Sequence, residues 1–167
     1  MTTISTTPSG MSQHSRPVIK TIAWVGLLAG TLDITFACIS AYLSRGTTPV
    51  TVLKYVASGL FGKEAFAGGT MMPVYGLLIH YIIAYSFTAL FFWIYPSLKL
   101  LSKNVVLTAI LYGIFIYVVM DLIILPFTRA PKGTFRIDKA LLAAAILMVA
   151  IGLPLSIVAR RFYRPKS

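Results

Sequence analysis

Three ionisable residues lie inside apolar stretches of this sequence, where a charged side chain is expensive to accommodate. Asp33, His80 and Asp121 each interrupt an apolar run, and Tyr117 precedes Asp121 by one helical turn. A charged aspartate at the centre of a bilayer costs about 2.5–3.5 kcal/mol on insertion scales. Carboxylates beside an imidazole can accept and release protons near neutral pH, which indicates proton relay or cation coordination. Interhelical hydrogen bonding that only fixes the packing is the equally weighted alternative.

The apolar stretches that hold these residues are long enough to cross a membrane as helices. The chain has 167 residues, of which 57% are hydrophobic and 11% are charged, whereas a soluble domain carries about 25% charged residues. Four apolar runs occur, at about 21–43, 71–95, 104–127 and 140–159. Backbone polar groups in lipid must be satisfied within their own segment, so each run is predicted to be a helix. The sequence therefore predicts an all-α integral membrane protein, with four transmembrane helices in a bundle over about residues 20–160.

The loop between the first two runs contains a shorter amphipathic segment. Thr48 is suited to be a helix N-cap, and Pro49 is suited to the first helical position after it. Gly62 is suited to end the helix. The segment, about 49–61, is too short to span a membrane, which predicts an interfacial or re-entrant helix. The favoured alternative is a surface helix that caps the bundle. Residues 1–19 are predicted to be a disordered tail, and residues 161–167 a basic C-terminal tail.

Small residues recur at helical spacing on the faces that carry the ionisable side chains. Glycines in such positions let two helix backbones approach closely. The predicted packing positions are Gly26, Gly30, Gly76 and Gly113. The ionisable residues on the same faces lie about 12–18 Å from one membrane surface at 1.5 Å of rise per residue. We therefore predict one buried polar cluster, made of Asp33, His80, Asp121 and Tyr117.

The charge distribution indicates contact with lipid headgroups. The chain has 15 Lys and Arg against 4 Asp and Glu, a net charge of +11, and every cation lies outside the apolar runs, as in membrane flanks. No nucleic-acid-binding motif accompanies them, so membrane lipids, not nucleic acids, are the predicted partners. Eight cations lie on the side of the termini and seven on the other. This bias is small, and we expect both termini to be cytoplasmic.

The sequence contains no motif that indicates catalysis or a cofactor. It lacks H-E-x-x-H, G-x-S-x-G and a phosphate-binding glycine loop. Two carboxylates and one histidine are a poor set of metal ligands, and a haem would require a second axial ligand. The sequence therefore predicts a protein that is not an enzyme and holds neither a metal nor a cofactor.

Four short stretches resemble a known group of proteins. They are GLLAG in the first run, HYIIAY in the second, the turn YPSLKLL, and LPFTRAP at the end of the third. Together they resemble the uncharacterised YagU-like bacterial inner-membrane proteins. The resemblance implies a multi-span helical fold in the bacterial plasma membrane, and it brings no established activity or catalytic residues.

Two functions fit these observations. The first is a small protein of proton-linked transport or proton handling that uses the polar cluster, as a homo-oligomer because four helices enclose little pathway. The second is an accessory or structural subunit of a larger membrane complex. A water-lined cavity that reaches His80 from one membrane face would favour transport, and a dry helix contact there would favour the structural role.

Overall fold

The part of the chain that the structure describes is mostly helical. The computed structural model describes residues 15–97, 104–132 and 136–163. Its helices are α1 (Ser15–Arg45), α2 (Pro49–Phe61), α3 (Glu64–Ala67), α4 (Met71–Ile94, continued by a 3-10 turn over Tyr95–Ser97), α5 (Val105–Phe127) and α6 (Ile137–Phe162). The described residues contain no strand, which confirms the predicted all-α class. Four helices, α1, α4, α5 and α6, are long and apolar enough to cross a membrane.

The long helices extend beyond the apolar runs that predicted them. α1 begins at Ser15 and so includes residues 15–19, which the sequence assigned to the tail. α6 covers Ile137–Phe162, where the apolar run predicted 140–159. Hydrophobicity marks only the part of a helix that suits hydrocarbon, whereas backbone hydrogen bonding continues into the flanking residues. The remaining residues of the predicted tails, 1–14 and 164–167, lie outside the described residues.

The short helix α2 has the bounds that its capping residues predict. The Thr48 hydroxyl accepts a hydrogen bond from the Thr51 N–H at 3.4 Å. Gly62 ends the helix at a φ of 63°, a conformation that favours glycine because a Cβ would be strained there. The inner face of α2 packs on α4, where a Cβ on Gly76 would collide with the backbone carbonyl of Leu53. α2 is therefore part of the packed bundle, and Gly76 is the point of closest approach.

Two of the long apolar helices widen into π-helical turns shortly before a proline. α5 is π-helical over Val118–Ile124, ahead of Pro126, and α6 over Met148–Gly152, ahead of Pro154. Proline lacks an N–H, and its ring collides with the carbonyl four residues earlier, so an unbroken α-helix does not accommodate it. The wider π-helical turn makes room for the proline ring. Such turns are frequent at functional sites. The π turn of α5 contains Asp121.

The helices pack unevenly along the bundle. α1 packs against α4 on one side and α6 on the other, while α5 runs along α6. An aromatic core fills the end nearest the termini, with the rings of Phe91 and Tyr112 only 4.6 Å apart. The buried residues of this core come from the first halves of α1 and α5 and the second halves of α4 and α6. The opposite end, near Arg45 and α2, is less filled, and a cavity opens there.

Candidate functional site

A cavity of about 610 Å³ lies at the end of the bundle opposite the aromatic core. Its walls are the second halves of α1 and α5, the first half of α6, and Tyr55 of α2. Asp33, Tyr117 and Asp121 all line it. The structure thus brings three of the four predicted cluster residues to one cavity, from two different helices.

The same cavity is lined by four cations at its other end, Arg45, Lys132, Arg136 and Lys139. Arg136 is neutralised, because its guanidinium donates to both carboxylate oxygens of Asp138, at 3.1 and 2.9 Å. No other ion pair occurs within residues 15–97, 104–132 and 136–163. One cavity therefore has carboxylates at the end nearer the middle of α1 and α5, and at the end near Arg45 it has cations, of which only Arg136 is in an ion pair within the described residues.

Asp33 is the residue that connects the cavity to the rest of the predicted cluster. Its carboxyl interacts electrostatically with both His80 and Asp121. No hydrogen bond or ion pair joins any two of these three side chains in the described part of the chain. The side chains are therefore neighbours in electrostatic range without a direct proton path, and any transfer between them needs water in the cavity.

His80 lies outside the cavity wall and has a different partner. Its Nε2 is 2.9 Å from the backbone carbonyl oxygen of Gly30. A carbonyl oxygen only accepts, so Nε2 carries the proton in this contact and Nδ1 is the remaining site for a second one. The ring also packs edge-on against Tyr81, with centroids 5.6 Å apart. The structure thus places His80 in the contact between α4 and α1, away from the cavity wall.

Two tyrosines that the sequence reasoning missed strengthen this contact. The Tyr81 hydroxyl is 2.7 Å from the Thr31 hydroxyl, and the Tyr85 hydroxyl donates to the carbonyl of Ala23 at 3.1 Å. Their spacing of four residues, which places them on one face of α4, is the signal that could have identified them. The contact between α1 and α4 is therefore held by polar side chains as well as by close packing.

The predicted packing glycines lie at three different helix contacts. On α1, a Cβ on Gly26 would lie 2.5 Å from the ring of Tyr85, and one on Gly30 would lie 3.1 Å from that of Tyr81. Gly76 faces α2, as described above. On α5, a Cβ on Gly113 would lie 2.6 Å from the Met148 side chain of α6. The glycines thus serve several interfaces, and the polar residues on their faces need not meet.

Tyr55, which no sequence pattern singled out, also lines the cavity and interacts electrostatically with both Asp121 and Arg45. Burial raises the pKa of its phenol above the ordinary value, Asp121 raises it further, and Arg45 opposes both. The hydroxyl also donates to the carbonyl of Pro131 at 3.4 Å, which ties α2 to the loop after α5. Tyr55 therefore remains neutral, and it connects the cavity wall to the loop after α5.

The comparisons with known proteins do not assign a function to this arrangement. Searches with protein-family models, curated proteins and solved structures give no match for the chain. The resemblance to the YagU-like group stays a prediction. Within the described residues, no three His, Cys, Asp or Glu side chains are grouped so that they could hold a metal ion. The geometry of the cavity is therefore the basis for a functional proposal.

Proposed function

We propose that this chain is a multi-pass protein of the bacterial inner membrane, with cytoplasmic termini, that performs proton-linked transport through the cavity. The observation that carries the proposal is that one cavity is lined by both aspartates of the spanning helices, Asp33 and Asp121. Intramembrane carboxylates that line cavities mark ion and proton pathways. A proton entering the cavity would reach both groups without crossing hydrocarbon.

The two carboxylates would act as one proton-binding unit. Asp33 interacts electrostatically with Asp121, so the two groups bind protons as a coupled set and not independently. Tyr117 interacts with Asp121 from one turn away and supplies a hydroxyl beside it. Asp121 stands on a π turn, a segment whose backbone is less regular than the helix around it. A change in this turn would move one carboxylate relative to the other.

Several copies of the chain would assemble in the membrane under this proposal. Four helices enclose little pathway, and large apolar side chains such as Trp24, Trp93 and Phe127 point outward from the bundle. Lipid or a second copy of the chain would cover them.

A role as an accessory or structural subunit is the second candidate, and the contact at His80 favours it. This contact is closed by direct hydrogen bonds between α4 and α1, and His80 does not line the cavity. A subunit that only scaffolds a larger complex would require such contacts and would not require the cavity carboxylates.

Reconstitution of the purified chain into liposomes would test the proposal. A trapped pH-sensitive dye would report proton movement after an imposed pH gradient. Asp33→Asn and Asp121→Asn should each slow the change, because an amide keeps hydrogen bonding but does not bind the transported proton. Glu64→Gln is the matched control, since Glu64 is exposed and outside the cavity. Equal rates in the parent protein, in the aspartate variants and in empty liposomes would instead favour the structural role.

A further inference from the structure

We propose that the cavity binds a dipolar solute that carries an ammonium group at one end and a carboxylate or phosphate at the other. The ammonium would lie between Asp33 and Asp121, and the anionic group among Arg45, Lys132 and Lys139. The inference rests on the proposed function only in that the cavity admits a solute, and it adds the chemical class of that solute.

The order of charges along the cavity selects this class. A simple cation would meet unpaired Arg and Lys side chains before it reached the carboxylates, and a simple anion would be repelled by the carboxylates. Like charges brought together oppose binding, whereas complementary charges steer a ligand into register. Arg136 contributes little, because Asp138 already pairs with it. A molecule with both charges is attracted at both ends.

The size and lining of the cavity fit a small molecule with an apolar middle. A volume of about 610 Å³ falls within the roughly 300–1,000 Å³ typical of small-molecule sites. Apolar side chains of α5 and α6 also line the cavity, among them Leu122, Leu142 and Ile146. Asp33 and Arg45 are twelve residues apart on α1, about 18 Å of helix rise, which their side chains shorten. Charges separated by a methylene chain suit this distance better than those of an α-amino acid.

Three related compounds would test the charge requirement on the purified full-length chain in detergent. The compounds are ω-aminohexanoate, hexylamine and hexanoate, which carry both charges, only the ammonium and only the carboxylate. Calorimetry should show that ω-aminohexanoate binds at least about tenfold more tightly than either of the others. Binding of hexylamine or hexanoate as tight as that of ω-aminohexanoate would overturn the proposal.

Paired variants would assign each end of the ligand. Asp33→Asn should remove the advantage of ω-aminohexanoate over hexanoate, and Lys139→Gln its advantage over hexylamine. Glu64→Gln and Lys63→Gln change the same charges outside the cavity and should leave both advantages intact. If Lys139→Gln behaves like Lys63→Gln, the cations act only as membrane flanks and the assignment fails.

The same chemistry occurs in a free solute and in the headgroup of phosphatidylethanolamine, and a lipid comparison separates them. Thermal stability would be measured in phosphatidylcholine nanodiscs with and without phosphatidylethanolamine, whose primary ammonium can donate to carboxylates. Stabilisation that Asp33→Asn removes would identify the lipid headgroup, and binding of ω-aminohexanoate alone would identify a free solute. If neither binds, the proposal is wrong.

These binding results are independent of the proton-flux measurement. Proton movement that requires Asp33 without binding of a dipolar compound would leave the proposed function standing and refute the inference. Binding of a dipolar compound without proton movement would support the inference and refute the proposed function.

Discussion

The imidazole of His80 donates a hydrogen bond from Nε2 to the backbone carbonyl oxygen of Gly30, at 2.9 Å, and joins α4 to α1. Gly30 lies about one turn before Asp33, so the histidine approaches the carboxylate without bonding to it. The glycine itself permits the contact, because a Cβ there would lie 3.1 Å from the Cβ of Ala84 and from the ring of Tyr81. The sequence pattern placed His80 and Asp33 in one polar cluster, but in the structure His80 contributes to helix packing and Asp33 lines the cavity.

Replacing His80 should weaken the contact between α1 and α4 without affecting the cavity. His80→Leu removes the donor and should cost about 0.6–1.7 kcal/mol, the range for interhelical hydrogen bonds in membranes. His80→Gln retains an N–H donor and should recover part of the loss. Unfolding in mixed micelles would measure both variants. A leucine variant as stable as the parent would show that the hydrogen bond contributes nothing.

Enlarging Gly30 should destabilise the same contact by crowding. Gly30→Leu would push against Ala84 and Tyr81, and overpacking of this kind costs about 1–3 kcal/mol. Gly69→Leu is the control, because a Cβ at Gly69 meets nothing within 4 Å. Unchanged stability of the Gly30 variant in detergent would mean that α1 and α4 do not meet at this position.

Water should reach the cavity wall from one membrane face. In a Cys38→Ser background, a cysteine at Ser40, which lines the cavity, should react with an impermeant maleimide, because thiolates form in water. A cysteine at Ser86, which is exposed on α4 outside the cavity, should remain unlabelled in lipid. With cytoplasmic termini, the label should enter only from the periplasmic face. Equal labelling of both positions would contradict a cavity in a lipid-embedded bundle.

The π turn in α5 should depend on Pro126. Pro126→Ala restores an N–H and removes the ring that disfavours a regular turn, so Val118–Ile124 should tighten towards an α-helix. A shift of one residue in the register of a helix rotates its side chains by about 100° around the axis. Such a shift would move Asp121 out of the cavity. Proton flux should fall while circular dichroism shows the same helix content. The control is Pro73→Ala, in the first turn of α4, which should change neither the proton flux nor the helix content. A Pro126→Ala variant with full proton flux would exclude a role for the π turn.

Lys54 should stabilise the connection between α2 and α4. Its ammonium donates to the backbone carbonyls of Phe66 and Gly68, at 3.1 and 2.9 Å, where α3 ends. Lys54→Met removes both bonds, and it should cost about 1–2 kcal/mol, because the site is only partly buried. Faster amide hydrogen exchange over Glu64–Gly68 would report the loss, with Lys63→Met as the control. Identical exchange in the two variants would show that the bonds do not hold this connection.

The sequence by itself determined which segments are helical and apolar enough to span, and where α2 begins and ends. The physical reason is local: a helix satisfies its backbone hydrogen bonds within its own segment, and Thr48, Pro49 and Gly62 act through their own backbone geometry. The faces that carry Gly26, Gly30 and Asp33 also follow from helical periodicity alone.

Only the tertiary structure decided which of those faces meet. Periodicity gives the direction of a side chain around its own helix, but not the neighbour or rotation of that helix, so it grouped His80 with Asp33. In the fold, His80 meets the backbone of Gly30, while Asp33 and Asp121 share a cavity. The π turn before Pro126 further shifts the register of α5, which a strict spacing of four residues does not anticipate. Arg45, Lys132 and Lys139 line the same cavity as the two carboxylates because the ends of α1, α5 and α6 lie close together there. Local sequence patterns do not encode such a long-range arrangement.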